Sequence, residues 1–221
     1  MDDAQVSVAP PEVPLLRGVL HTIFAPVTLF SGAVLAWMAP SPRAALAVFV
    51  MAAGFAAIFG MSSVYHRIAR HWSPTARRRA RQADHAMIFL GMATSYTSVW
   101  LVALDGWVSD ALLVYAWIAA TIGVISKIWF LDARPTRHLA VYLGMGLVGL
   151  IVVPSLINTM GATSVALILV GSVIITLGGI VFAYQRPNPI PRWFGHHEIF
   201  HAGTVVGCAL FLAGLATFVL R

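Results

Sequence analysis

The sequence predicts an all-α membrane protein of seven transmembrane helices, and three observations carry that expectation. Of its 221 residues, 59% are hydrophobic and 10% are charged, with a mean hydropathy of +0.85, too little polar surface for a soluble domain. The apolar residues gather in seven stretches, each near the twenty or so that a helix needs to cross about 30 Å of hydrocarbon. The third observation is charge: 12 of the 14 basic residues fall in the tail and in alternate loops of a seven-crossing chain.

In chain order, residues 1–16 hold Asp2, Asp3 and Glu12 among several prolines and read as a disordered or interfacial tail, not as a cleavable signal peptide. Residues 17–221 read as a single seven-helix domain with spans over 18–38, 44–66, 84–104, 110–130, 139–157, 164–184 and 196–220. Pro40-Ser41-Pro42, Asp105-Gly106, Asn158 to Gly161, and Pro187 to Pro191 punctuate the connections. Within the spans, Gly144, Gly146 and Gly149 suit close packing, Pro154 suits a kink in the fifth span, and Gly203 and Gly207 form a Gly-x-x-x-Gly pair for packing against another helix.

Seven crossings put Arg17, the cluster Arg67 to Arg81, Lys127, Arg134, Arg137, Arg186 and Arg192 on one side, leaving Arg43 and Arg221 opposite. That side is the cytoplasm by the positive-inside rule, so the amino terminus is expected inside and the carboxyl terminus outside, as in a multi-pass protein of the plasma (inner) membrane. The net charge of +6 is then a topology signal, with anionic lipid contact secondary, and nucleic acid is excluded as a partner. Trp37, Trp72, Trp100, Trp107, Trp129 and Trp193 fall near span ends, where an aromatic belt would sit. The lone Cys208 excludes an internal disulfide and a cysteine-built metal site, and reads as core.

Polar residues stand out against this background. His197 and His201 are four apart at the head of the last span, hence on one helical face, where two imidazoles can share a metal ion, usually zinc. Ionisable groups within a span are costly and mark function. On the seven-span map His66 ends the second span and Asp84 opens the third at the same side, so residues far apart in sequence converge near the cytoplasmic face. Ser62 lies one turn from His66 and reaches either the site or its own helix carbonyl. The string His197-Glu198-Ile199-Phe200-His201 also fits the zinc-protease pattern, but Glu198 leaves the histidine face by about 100°, so Asp84 is preferred as general base. His85 and His196 point off the site face, His85 toward solvent or headgroups; His21 reads as interfacial, and His71 and His138 as loop residues.

Ser62-Ser63-Val64-Tyr65-His66, Asp84 to Phe89 and His197 to His201 resemble the three signatures of the hemolysin III proteins. That family is grouped with the adiponectin and progestin receptors and the alkaline ceramidases. The resemblance covers the seven-span core and implies a zinc site of His66, His197 and His201, with Asp84 contacting a water on the zinc and Ser62 close behind. One departure is Ala93-Thr94-Ser95-Tyr96-Thr97-Ser98, where the family tends to show Ala-Gly-x-Tyr-Thr-Pro.

Two functions follow as expectations. In the first, the protein is a zinc-dependent intramembrane hydrolase of a lipid amide or ester, with water on the zinc as nucleophile, Asp84 as base and Ser62 steadying the oxyanion. In the second, it is a non-enzymatic membrane protein, either a zinc-stabilised signalling scaffold or a pore-former. A structural zinc would be closed by a fourth protein ligand, with His196, His85 or Asp84 the candidates.

Overall fold

A computed structural model describes residues 13–221, and residues 1–12, most of the expected tail, lie outside it. Eight α-helices run through the described residues: α1 (Val19–Met38), α2 (Pro42–Ser63), α3 (Pro74–Ala103), α4 (Trp107–Trp129), α5 (Pro135–Ile151), α6 (Val153–Met160), α7 (Ala162–Tyr184) and α8 (His196–Val219). Six are long and apolar enough to cross a membrane, or seven when α5 and α6, bent by 54° at their junction, are counted as one span. The bend falls where Pro154 removes a backbone donor from the helix ladder, as its position in the fifth span suggested.

The helix starts are written locally. Ser41 and Ser73 accept backbone N–H bonds from Ala44 and Ala76, at 3.2 and 3.3 Å, and a proline follows each cap. The second start moves a boundary. The third helix begins at Pro74, ten residues before the expected span, so Arg77, Arg78, Arg79 and Arg81 lie on a helix rather than in a loop.

Contacts sort the connections into two ends. At one end, Arg78 and Arg81 donate to Asp132 at 2.8 and 2.9 Å; the Arg78 hydrogen bond first, with both positive charges, holds the Asp132 carboxyl below the usual carboxylate range. At the same end the backbone N–H of Leu15 donates to Arg192 O at 3.0 Å, so residues 13–16 are tied to the α7–α8 connection and are not a loose tail. At the other end Arg43 pairs with Asp105 at 2.9 Å.

The main core joins Met51, Phe55 and Phe59 of α2 with Val99 and Trp100 of α3 and Leu212 and Leu215 of α8. Trp100 is therefore a correction to the expected aromatic belt: it is 1% exposed and stacks on Tyr96, whereas Trp37 and Trp107 are 86% and 79% exposed. The α7–α8 contact is a close backbone approach. A Cβ at Gly171 would lie 2.8 Å from Gly207 O, and one at Gly203 3.3 Å from Ile174 O, so the expected small-residue packing is present. In α5 it holds at Gly149, where a Cβ would meet Tyr96 at 3.1 Å, but nothing lies near Gly144. Over residues 93–98 α3 runs unbroken, and the Thr94, Ser95, Thr97 and Ser98 hydroxyls donate back to carbonyls of their own helix.

Candidate metal centre

The centre forms where α2 departs from regular winding. Its last residues give way to a π-helical turn over Val64–Ile68, then a short 3₁₀ turn over Ala69–His71. π turns are rare and favour functional sites; this one carries His66. The start of α1 packs directly on it. Gly18 has a positive φ of 79°, and a Cβ there would lie 2.8 Å from His66 Cβ, so only glycine lets the chain pass at this point.

His197 and His201 project from successive turns at the head of α8. One ring nitrogen from each of these and one from His66 lie within 4.8 Å of one another, so the trio can hold a metal ion. The Nε2 atoms of His66 and His197 are 3.2 Å apart. Two nitrogens on one tetrahedral zinc, at bonds of about 2.0–2.1 Å, stand roughly 3.4 Å apart, so the narrowest pair already has ligand spacing. The Asp84 carboxylate, on α3, stands off, with Oδ2 3.9 Å from His66 Nε2 and 3.6 Å from His85 Nδ1. Ser62 is 2% exposed. It shares a cavity of about 80 Å³ with His21, Asp84, His85, His197 and His201, which has ample room for a water.

The three residues named as closing ligands do not join the trio. His196 Nδ1 and its backbone N–H both meet Asn188 Oδ1, at 2.8 and 2.9 Å, so Asn188 caps α8. His85 Nδ1 lies 2.9 Å from Arg81 O. Asp84 remains at the 3.9 Å already given. His85 nevertheless corrects its own expectation, because it is part-buried against the cavity rather than solvated.

Glu198 is 1% exposed with both oxygens engaged. Oε1 accepts from Arg17 Nε at 2.5 Å, and Oε2 from the Gly195 backbone N–H at 2.9 Å. The carboxylate of the zinc-protease pattern thus stabilises the start of α8 and anchors the segment before α1.

Two groups escaped the sequence reading. His21, expected at the interface, is 3% exposed, and its ring stacks on His201 with centroids 4.0 Å apart and planes 10° apart. Its signal was available, since it lies at the same depth as the other site histidines in an otherwise apolar segment. Lys127, assigned to the basic side, is 1% exposed. Its ammonium sits 2.6 Å from His138 Nδ1 and over the rings of Tyr142 and Phe89. No local pattern marks this pairing, which depends on how α4 and α5 meet. It also places His138 on a helix, not in a loop.

The chain is similar to two curated bacterial proteins. It is 30% identical over 126 residues to the hemolysin-3 homolog of Bacillus subtilis (strain 168), an overlap of 57% of this chain and 56% of that one. It is 27% identical over 137 residues to hemolysin-3 of Bacillus cereus, or 62% and 60%. The chain thus spans somewhat under two thirds of the length of these relatives. No solved structure matches it. The Haemolysin-III related family matches over residues 12–212, which takes in every site residue and all eight helices but the end of the last; the chain belongs to that family, within the superfamily of the adiponectin receptors.

Proposed function

We propose that this single seven-helix domain is a zinc-dependent intramembrane hydrolase acting on a lipid amide or ester. One observation carries the reading. Three histidines from two elements converge within 4.8 Å, no fourth side chain joins them among the described residues, and a carboxylate stands 3.9 Å from one of them. Three protein ligands with a position left over is the pattern of catalytic rather than structural zinc.

In this reading His66, His197 and His201 bind the ion. Zinc bound there supplies a Lewis acid that acidifies water and polarises a carbonyl. Asp84 Oδ2 takes a proton from the attacking water and passes it to the leaving nitrogen or oxygen. Ser62 Oγ donates to the oxygen on which charge develops. The buried walls of the cavity exclude bulk water, which strengthens each of these interactions. An acyl-bearing substrate arrives laterally from the bilayer that surrounds the helices.

The names of the hemolysin-3 relatives favour a second reading, a pore-former. A pore should carry ionisable groups at mid-membrane, whereas here the ionisable residues lie toward the ends of the apolar stretches. That supports the hydrolase.

Purified protein should carry about one zinc per chain by elemental analysis and should hydrolyse at least one of a panel of lipid amides and esters. Hydrolysis that survives full removal of metal by chelation would refute the reading. The basic asymmetry further supports an amino terminus and a metal centre at the cytoplasmic side of the plasma membrane, with the carboxyl terminus outside. Reporter fusions at the two ends should report opposite sides; the same side from both would refute seven crossings.

A further inference from the structure

We propose that His21 is a positioning residue of the metal centre: stacked face to face on His201, it holds that imidazole in its ligating orientation. The inference rests on the reading that His66, His197 and His201 bind a metal, and adds a fourth histidine that does not ligate.

Two aromatic rings lie against the His21 ring. The His201 ring lies 4.0 Å away and nearly parallel, and the ring of Phe59, itself 1% exposed, lies 4.8 Å away at 32°. Among the described residues neither ring nitrogen meets a hydrogen-bond partner in good geometry, although both are buried. The stacking is thus the contact through which His21 bears on the His201 ring.

The backbone beneath it is pinned from two sides. One turn earlier, Gly18 packs on His66, and Arg17 binds Glu198 in the first turn of α8. The start of α1 is thus fixed to both segments that carry the candidate ligands. His21 meets His201 from a set distance rather than from a mobile helix end.

The chemistry agrees with the placement. A metal-ligating histidine usually has its ring plane fixed by a hydrogen bond from its second nitrogen. Among the described residues no side chain makes that bond to His201, which has a stacked ring instead. An imidazole bound to a dication is electron-poor and gains from a neutral aromatic face against it. His66 and His197 lie at 56° and 67° to the His201 ring, so they cannot supply that face.

The test uses the full chain in detergent, stripped of metal and titrated with Co²⁺ against a competing chelator, with the visible cobalt absorption as a second readout. Removing an outer-layer partner of a metal ligand typically costs about 10–100-fold in metal affinity. His21→Ala should weaken Co²⁺ binding by that amount and shift the absorption band. His21→Phe, which keeps the aromatic face and lacks both nitrogens, should restore affinity to near the wild-type value along with the wild-type band. Should His21→Ala fail to fold by circular dichroism, His21→Leu, which fills the space without an aromatic face, replaces it. Unchanged affinity in His21→Ala or His21→Leu overturns the proposal. So does His21→Phe as weak as His21→Ala, since a nitrogen would then be the working part and His21 a direct ligand. A wild-type chain that binds no Co²⁺ removes the metal reading and this inference together. A wild-type chain that binds it, with variants that do not follow the pattern, removes only the inference.

Discussion

Two sets of helices divide the molecule. In α3 and α8, half of the apolar stretch is buried within the protein, and in α2 44%; in α4, α7 and α1 the shares are 22%, 17% and 11%. Hydropathy does not follow burial. The α7 stretch, at 2.7, is the most apolar yet largely faces outward, whereas the α3 stretch, at 1.5, is the least apolar and half buried. In a water-soluble protein the relation runs the other way. Hydrocarbon accepts apolar side chains freely, so the protein interior is where a polar one can be kept. Asp84, His197 and His201 lie on the inner set and His66 on the turn that ends α2, so the site is a property of the buried three. The exception is α1, which sends His21 and the residues just before it into the centre.

The sharpest test of the comparison removes a ligand from the inner set. His66→Ala, His197→Ala or His201→Ala should each lose most of the bound metal by elemental analysis; undiminished metal in all three would dissolve the centre. Next is Asp84→Asn, which keeps shape and polarity but cannot take a proton. It should keep its zinc while hydrolysis falls by about 10²–10⁴-fold. Loss of zinc instead would make Asp84 a direct ligand and the site a closed, structural one.

Glu198→Gln probes the anchor of α1. It can keep the acceptor for Gly195 N–H but surrenders the ion pair with Arg17. A hydrogen bond to a charged group is worth about 1.5–3 kcal/mol, so thermal unfolding should report a loss of that order while zinc and most activity remain. Abolished hydrolysis with full stability would return the base role to the zinc-protease pattern. The smallest effect belongs to the exposed rim. Arg78 and Arg81 depress the Asp132 carboxyl, so its contribution is present above the unfolded-state range and lost as pH falls through the lower folded value. Asp132→Asn should differ slightly from wild type at neutral pH and low salt, and the difference should vanish in strong acid or high salt. A gap that persists in both would show a packing role instead.

The spans were legible because a bilayer imposes a length and a polarity that a window of sequence records directly. The starts at Ser41-Pro42 and Ser73-Pro74 were legible in principle from capping chemistry, although the apolar pattern drew the third span ten residues short. The trio of histidines and Asp84 was legible because alternate crossings fix which span ends meet. The burial of Trp100 and Lys127 was not, since both lie near span ends and only the packing of α3, α4 and α5 decides which way they face. Nor was the stacking of His21 on His201, which needs the distance between two helices at opposite ends of the chain.

The π turn at Val64–Ile68 has a consequence for the spacing of the chain itself. Regular winding advances about 100° per residue, and a π turn stores one residue beyond what that winding needs. That residue is slack in the thread. Deleting one position within the turn ahead of His66 would let α2 wind on regularly without shortening any span, but it would move His66 out of the widened turn that now aims it. His66 would then face away from His197, and the trio would become a pair. Length and hydropathy would hardly register the change, but the capacity to hold a metal would be gone. The centre therefore depends on an irregularity a single residue long.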